Sequence, residues 1–197
     1  VGHAFLLHGD RGVGKTSTAR LIAKALNCLE KKDGEVEPCN ACSNCKSIQM
    51  GRHVDVIEMD GASKTGVNDI REIIETVVYR AASAKFKVYI IDEVHMLSNS
   101  AFNALLKTLE EPPEHVKFIF ATTEIKKIPV TVISRCQRFD LSRIRSSELF
   151  NYIKKIKDKE GGKITDEALK LIVKISEGSV RDAPVSYTHL TLPTTLI

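Results

Sequence analysis

Gly9-Asp10-Arg11-Gly12-Val13-Gly14-Lys15-Thr16 has the spacing G-x-x-x-x-G-K-T, a run whose chemistry is to wrap backbone N–H groups around an anion. The glycines let the chain curl, and the helix expected to begin there adds its positive end. Lys15 can reach terminal phosphates and Thr16 can ligate Mg2+. Gly9, Gly12, Val13, Gly14, Lys15, Thr16 and Ser17 are therefore the candidate nucleotide-binding residues. A second set closes the apolar run Lys87-Val88-Tyr89-Ile90-Ile91-Asp92-Glu93. Asp92 can hold Mg2+ together with Thr16, and Glu93 is placed to polarise the water that attacks a γ-phosphate. Phosphoryl transfer also needs hydrogen bonds and positive charge aimed at its transition state. Thr122 and Thr123 end the run FIFA, while Arg135 and Arg181 are arginines that spacing alone does not select from 29 basic residues.

A different chemistry is written in Cys28, Cys39, Cys42 and Cys45, spaced C-x10-C-x2-C-x2-C after the first expected helix. In a cytosolic chain disulfides are disfavoured and four thiolates around one metal are the natural reading. Zinc fits best, as a closed tetrahedral and structural site, because the stretch LEKKDGEVEP has too little apolar content to fold alone. An iron–sulfur cluster is the alternative metal reading, although Gln49 stands where the ferredoxin run has its fourth cysteine; four free thiols are the third. Cys136 stands apart and reads as a small buried residue.

The elements that must position these groups follow from apolar patterning. Continuous apolar runs at Ala4 to Leu7, Val54 to Met59, Val88 to Ile91 and Phe118 to Ala121 read as strands of a parallel sheet covered on both faces. Between them Ala19, Ile22, Ala23 and Leu26, then Ile70, Ile73, Ile74 and Val77, recur at helical spacing. Ser100 to Leu109 is a further helix, stopped by Pro112 and Pro113. The fold class is α/β, a doubly wound parallel sheet. From about Ser146, two helices joined at Gly161 and Gly162 suggest a small helical lid.

At 197 residues, with 43% hydrophobic and 27% charged side chains, the chain has room for one such domain and a small appendage and is not disordered in composition. A net charge of +4 permits a local basic surface without demanding nucleic acid. No apolar run reaches the ~18 residues of a membrane helix, so the cytoplasm is the expected location, with no membrane partner. The start at a strand without Met leads us to expect that the native protein continues upstream of Val1.

The order HAFLLHGDRGVGKTSTARLIAKALNC, four cysteines, IEMDGASKTGVNDIREI, KVYIIDEVHMLS, FNALLKTLEEPPEHVKFIFATTE, ISRCQRF and EGSVRDA resembles the gamma/tau family of bacterial DNA polymerase III subunits, which are AAA+ clamp-loader ATPases. The resemblance covers Val1 to Ala183. It implies an AAA+ P-loop nucleotide-binding domain over 1–143 with a zinc-binding insertion at about 28–45, and a partial helical lid over 144–183. It implies ATP, Mg2+ and Zn2+ as cofactors, with Thr123 sensing the γ-phosphate, Arg135 acting as an arginine finger in trans and Arg181 as a nucleotide-sensing lid residue. The partners implied are self copies, delta, delta-prime, the sliding clamp and primed DNA. The activity is that of an ATPase within a DNA-directed DNA polymerase holoenzyme. Lys64 and Arg71 resemble positions that touch the DNA backbone, with a solvated helix face as the equal alternative.

Residues 184–197 have no counterpart in that family and are expected to be a non-native tail, in which Pro184 would interrupt a helix only just begun. Two rival functions keep the same fold. One is a non-hydrolysing scaffold subunit of the ring, which intact Lys15, Thr16, Asp92 and Glu93 argue against; the other is a protein-remodelling AAA+ motor, for which no aromatic pore loop is evident.

Overall fold

In the computed structural model the described residues are 2–31, 35–63, 66–160, 164–176, 178–179, 181 and 183–184. Five strands form one sheet: β1 (Ala4–Gly9), β2 (Val56–Asp60), β3 (Lys87–Asp92), β4 (Val116–Thr122) and β5 (Gln137–Leu141), in the order β2-β3-β4-β1-β5. The pairs β2–β3, β3–β4 and β4–β1 are parallel, with Asp60 opposite Asp92 and His8 opposite Thr122. Parallel pairing puts the carboxyl ends of neighbouring strands on one edge. In open α/β sheets that edge is where ligands bind. All seven residues of β4 and the first five of β3 are buried, as strands covered on both faces require.

The cover is helical. Helices α1 (Lys15–Asn27), α3 (Val67–Val77) and α4 (Asn99–Glu110) occur where the apolar spacing places them. The α4 start is fixed by Ser98, whose Oγ accepts from the Ala101 N–H at 3.2 Å. Its end falls at Glu110, ahead of Pro112 and Pro113. Phe102 and Leu105 of α4 and Ile70 of α3 pack onto Leu6, Tyr89, Phe118 and Phe120 of the sheet. Tyr89 and Phe118 stack at 5.3 Å between centroids, and the Tyr89 hydroxyl that this carries into the core lies 2.9 Å from Thr76 Oγ1.

Among the described residues, one strand and two α-helices are not expected from sequence. β5 is an exposed edge strand with no apolar run to announce it. A short helix, α2 (Ser43–Gln49), forms inside the cysteine insertion. A four-residue helix, α5 (Val130–Ile133), precedes Arg135.

The chain divides into two compact units, Val1–His8 with Lys15–Asp140, and Gly9–Gly14 with Leu141–Ile197. In the second, α6 (Ser146–Glu160) and α7 (Asp166–Ile175) bury Leu149 and Ile153 against Leu169, Ile172 and Val173, and Ala183 joins the same small core. Ala183 and Pro184 are both helical, the Ala183 N–H donating to the Ser179 carbonyl at 3.3 Å, and the interruption expected after Pro184 falls outside the described residues. Gly161, Gly162 and residues 185–197, most of the expected tail, lie outside the described residues. Among the described residues no helix is long and apolar enough to cross a membrane.

Candidate nucleotide site and cysteine cluster

β1 delivers the chain into the glycine run at Gly9, where an added Cβ would lie 2.5 Å from the Leu141 carbonyl oxygen, so glycine alone fits. Gly12 and Gly14 have φ of 85° and 94°, in the left-handed region where other residues are strained. Asp10 accepts from Arg143 Nε at 2.9 Å. The run then becomes α1, which opens with buried Lys15 and places half-buried Thr16 in its first turn, with Ser17 exposed beside it.

Thr16 Oγ1 donates to Asp92 Oδ2 at 2.5 Å, joining the start of α1 to the end of β3. The two proposed Mg2+ ligands are thus neighbours in the fold. Asp92 Oδ1 accepts the backbone N–H of Glu93 at 2.9 Å. Glu93 itself adopts the left-handed conformation, φ 45° and ψ 44°, which costs an ordinary residue roughly 1–2 kcal/mol. The turn is closed by Gly61 at the end of β2. Its N–H donates to the Asp92 carbonyl at 2.8 Å, and a Cβ there would lie 2.8 Å from the Glu93 carbonyl oxygen.

The strand beside β3 supplies the next groups. Thr123 follows β4, and its Oγ1 donates to Glu93 Oε2 at 3.2 Å. Thr122 is fully buried, its Oγ1 accepting the Glu124 N–H at 3.0 Å and lying 3.0 Å from His95 Nδ1. Lys15, Thr16, Asp92, Glu93 and Thr123 therefore lie together at the carboxyl edge of the sheet. Arg135 is turned elsewhere: its guanidinium donates to the Thr131 carbonyl and to Glu110 Oε1 at the end of α4, both at 2.6 Å. Arg181 is exposed in the second unit, and Arg71 is exposed on α3. Lys64 lies outside the described residues.

The four cysteines converge as their spacing suggests. Their sulfurs all lie within 4.8 Å of one another, with Cys39 and Cys45 at 4.0 Å. A tetrahedron of sulfurs ~2.3 Å from zinc has edges of about 3.8 Å, so the cage fits a zinc ion held by all four thiolates with little adjustment. Backbone N–H groups point at the sulfurs: Cys39 N at Cys28, Ala41 N and Cys42 N at Cys39, and Cys45 N at Cys42, all at 3.3–3.4 Å. Burial works against a thiolate at Cys42, yet the N–H groups of Cys45 and Leu29 outweigh it and hold that thiol down at about 6. Burial, then the neighbouring Cys42, pushes Cys45 up to about 12. A divalent cation resolves this conflict by neutralising several thiolates at once. Cys136 packs against the main core, where burial pushes its thiol up to about 12.

Sequence reasoning does not single out Gly61 or His95. Gly61 carries a faint signal, a lone glycine directly after a strand, which often marks close backbone approach. His95 has none beyond its place two residues after the acidic pair begins to turn.

The family described as "DNA polymerase III, delta subunit" matches residues 1–145. Among curated relatives, the DNA polymerase III subunit gamma of Buchnera aphidicola (Schizaphis graminum) is 52% identical over 93% of this chain and 50% of its own length. The subunit tau of Bacillus subtilis is 53% identical over 92% of this chain and 32% of its own length. The Escherichia coli subunit tau is 51% identical over 93% and 28%. The chain thus spans half or less of these three relatives. Among solved structures, a gamma subunit-related protein of Thermotoga maritima superposes with a TM-score of 0.64 at 22% identity, covering 95% of this chain and 53% of its own. The Thermotoga maritima RuvB Holliday junction branch migration motor gives 0.62 at 21%, over 95% and 53%. These likenesses show the fold alone, an α/β sheet of this topology.

Proposed function

This chain belongs to the DNA polymerase III delta-subunit family, and from that premise we propose that it is an ATP-binding and ATP-hydrolysing subunit of a clamp loader, which opens the sliding clamp and places it on primed DNA. The observation that carries the proposal is the convergence of Thr16, Asp92, Glu93 and Thr123 through hydrogen bonds of 2.5–3.2 Å in a chain half identical to gamma and tau subunits. A scaffold that only binds nucleotide has no need of Glu93 beside the Mg2+ carboxylate, so hydrolysis is the reading favoured.

In this reading residues 1–143 form the nucleotide-binding domain, with the zinc insertion at about 28–45 and a helical lid over 144–183. The backbone of the Gly9–Gly14 run cradles the phosphates, with Val13 and Ser17 flanking, and Lys15 bonds their terminal oxygens. Mg2+ held by Thr16 and Asp92 would neutralise charge on the β- and γ-phosphates. Glu93 orients and polarises the attacking water while Thr123 reads the γ-phosphate. Arg135 leaves Glu110 to reach the γ-phosphate bound by a neighbouring copy, and Arg181 closes over nucleotide from the lid. Zn2+ on the four cysteines would cross-link an insertion that cannot bury enough apolar surface to hold itself. Delta and delta-prime subunits complete the ring, and Arg71 faces the DNA backbone.

The test is steady-state ATP hydrolysis as delta, delta-prime, clamp and primed DNA are added stepwise. Turnover should rise only when clamp and primed DNA are both present. Arg135→Ala should lower that turnover by about 10³-fold or more without weakening ATP binding to the same chain. Turnover that stays flat while ATP still binds would return the chain to the scaffold reading.

A further inference from the structure

Glu93 cannot hold its own orientation: its backbone is in the left-handed region, and its carboxylate is about one-third exposed. Two side chains touch it. Thr123 Oγ1 donates to Oε2 at 3.2 Å, and His95 Nδ1 lies 3.4 Å from the same oxygen. Thr123 is also the group assigned to the γ-phosphate, so bound ATP competes with Glu93 for its hydroxyl. His95 has no role toward the nucleotide, although Thr122 Oγ1 lies nearer its Nδ1 than Glu93 does. Only 6% of its side chain is exposed, and the ring is fixed on both edges, by Thr122 Oγ1 3.0 Å from Nδ1 and by Glu124 Oε1 3.5 Å from Nε2. Glu124 is in turn held by Lys127 at 2.9 Å. Carboxylate oxygens thus lie 3.4 Å from Nδ1 and 3.5 Å from Nε2, so whichever ring nitrogen carries hydrogen faces an acceptor.

We propose that His95 is a positioning residue for ATP hydrolysis, holding the Glu93 carboxylate through Nδ1 once Thr123 has turned to the γ-phosphate. The proposal deepens the ATPase reading and rests on it. Val94–Met96 form one tight 3-10 turn, so the imidazole and the carboxylate it holds are set by the same bend that ends β3. A loosened carboxylate still allows nucleotide to bind but misplaces the water, and misplacement by about 1 Å can cost up to ~10²-fold in rate.

The experiment is ATP hydrolysis by the chain in its assembly with partner subunits, clamp and primed DNA, with Lys15→Ala and Glu93→Gln as controls. His95→Ala should lower kcat by about ten- to a hundredfold while KM for ATP stays within about twofold. Asn places its amide nitrogen where Nδ1 stands, and Gln places its nitrogen where Nε2 stands. His95→Asn should therefore recover most of the rate and His95→Gln little of it. Wild-type turnover in His95→Ala, with both controls inactive, overturns the role of His95 and leaves the ATPase reading intact. Equal loss in the Asn and Gln variants also overturns it, since the ring would then matter only as packing. Undiminished turnover in Glu93→Gln removes the ATPase reading first and this proposal with it.

Discussion

The carboxyl edge of the sheet proposed to bind phosphate and the cysteine cluster both gather polar atoms that would repel or strain one another, but they are held together by opposite means. At the sheet edge the scaffold does the holding. β1, β3 and β4 are locked in register by backbone pairing, and Thr16 already reaches Asp92, and Thr123 already reaches Glu93, across it. The left-handed strain at Glu93 is tolerated because a buried apolar core beneath fixes the strand ends. In the cysteine insertion the scaffold supplies less. Ile48 is buried, but Leu29, Val36 and Met50 are exposed, and α2, of seven residues, is too short to persist alone. A site built by the fold should survive loss of its ligand; a site that builds its own fold should not.

The largest expected effect tests the first half of that statement. Lys15→Ala removes the buried ammonium at the head of α1 and should lower ATP turnover by on the order of 10³-fold or more. The far-ultraviolet circular dichroism and the thermal midpoint should be little altered, because the main core of the sheet is built without Lys15. A collapse of the midpoint would mean that this site, too, depends on its charged groups for shape.

Cys42→Ser tests the other half. The variant should bind less than one zinc per chain by elemental analysis, and amide exchange should speed up over residues 35–50 while the β3 and β4 amides stay protected. Acid should do the same to the wild type. The Cys42 thiol sits at about 6 in the fold against an ordinary 9.0, so its thiolate contributes stability that is complete above pH 9 and lost as pH falls through 6. Protons and zinc compete for that sulfur in the same direction. Zinc should therefore be held more weakly as pH falls, as a titration against a competing chelator would read, and an affinity that does not change with pH would contradict thiolate ligation.

The contrast also explains what the sequence makes legible. β3 and β4 are plain because burial on both faces demands unbroken apolar runs, and the phosphate loop because its glycines are dictated by backbone geometry. The cysteines are plain because metal ligands are few in kind and close in spacing. β5 is not, since an exposed edge strand such as Gln137–Leu141 has no face to write in apolar residues. Neither is α2, whose start is a cysteine side chain accepting a backbone N–H at Cys42, a cap that cysteine does not usually supply. Gly61 and His95 are hidden for a shared reason: each acts on Glu93 from outside its strand, and only the parallel register of β2 on β3 and the turn after β3 bring them there. The arginine finger rests on resemblance alone, and the fold turns Arg135 toward Glu110.

Gly61→Ala sharpens the account of how the sheet edge is held. Its new Cβ would face backbone oxygens of Glu93 at 2.8 Å and Asp92 at 3.0 Å, and backbone cannot swing aside as a side chain can. Overpacking of this kind costs roughly 1–3 kcal/mol. The strain should appear partly as a lower thermal midpoint and partly as a kcat reduced about tenfold or more, because about 1.4 kcal/mol at the transition state is a factor of ten. Zinc content should be unchanged. An alanine variant of full activity would show that the Glu93 turn does not depend on the end of β2.

The smallest effect is expected where the two regions meet. Asn27 closes α1 by pairing both edges of its amide with the backbone of Phe86, accepting at 2.9 Å and donating at 2.9 Å, which ties α1 to the entry of β3. Asn44 of α2 then donates to the Asn27 carbonyl at 3.0 Å, and Lys24 of α1 donates to Asn40 at 2.8 Å. These contacts run from the insertion to groups already fixed by the sheet, so a disturbance passes outward more readily than inward. Asn44→Ala should cost about 1 kcal/mol, the net value of one buried hydrogen bond, and should show as weaker zinc retention under chelator. ATP turnover should change by less than about twofold, since the groups it relies on do not use Asn44. A larger fall would mean that the cysteine cluster positions α1, and with it Lys15 and Thr16, so that the two sites share one support.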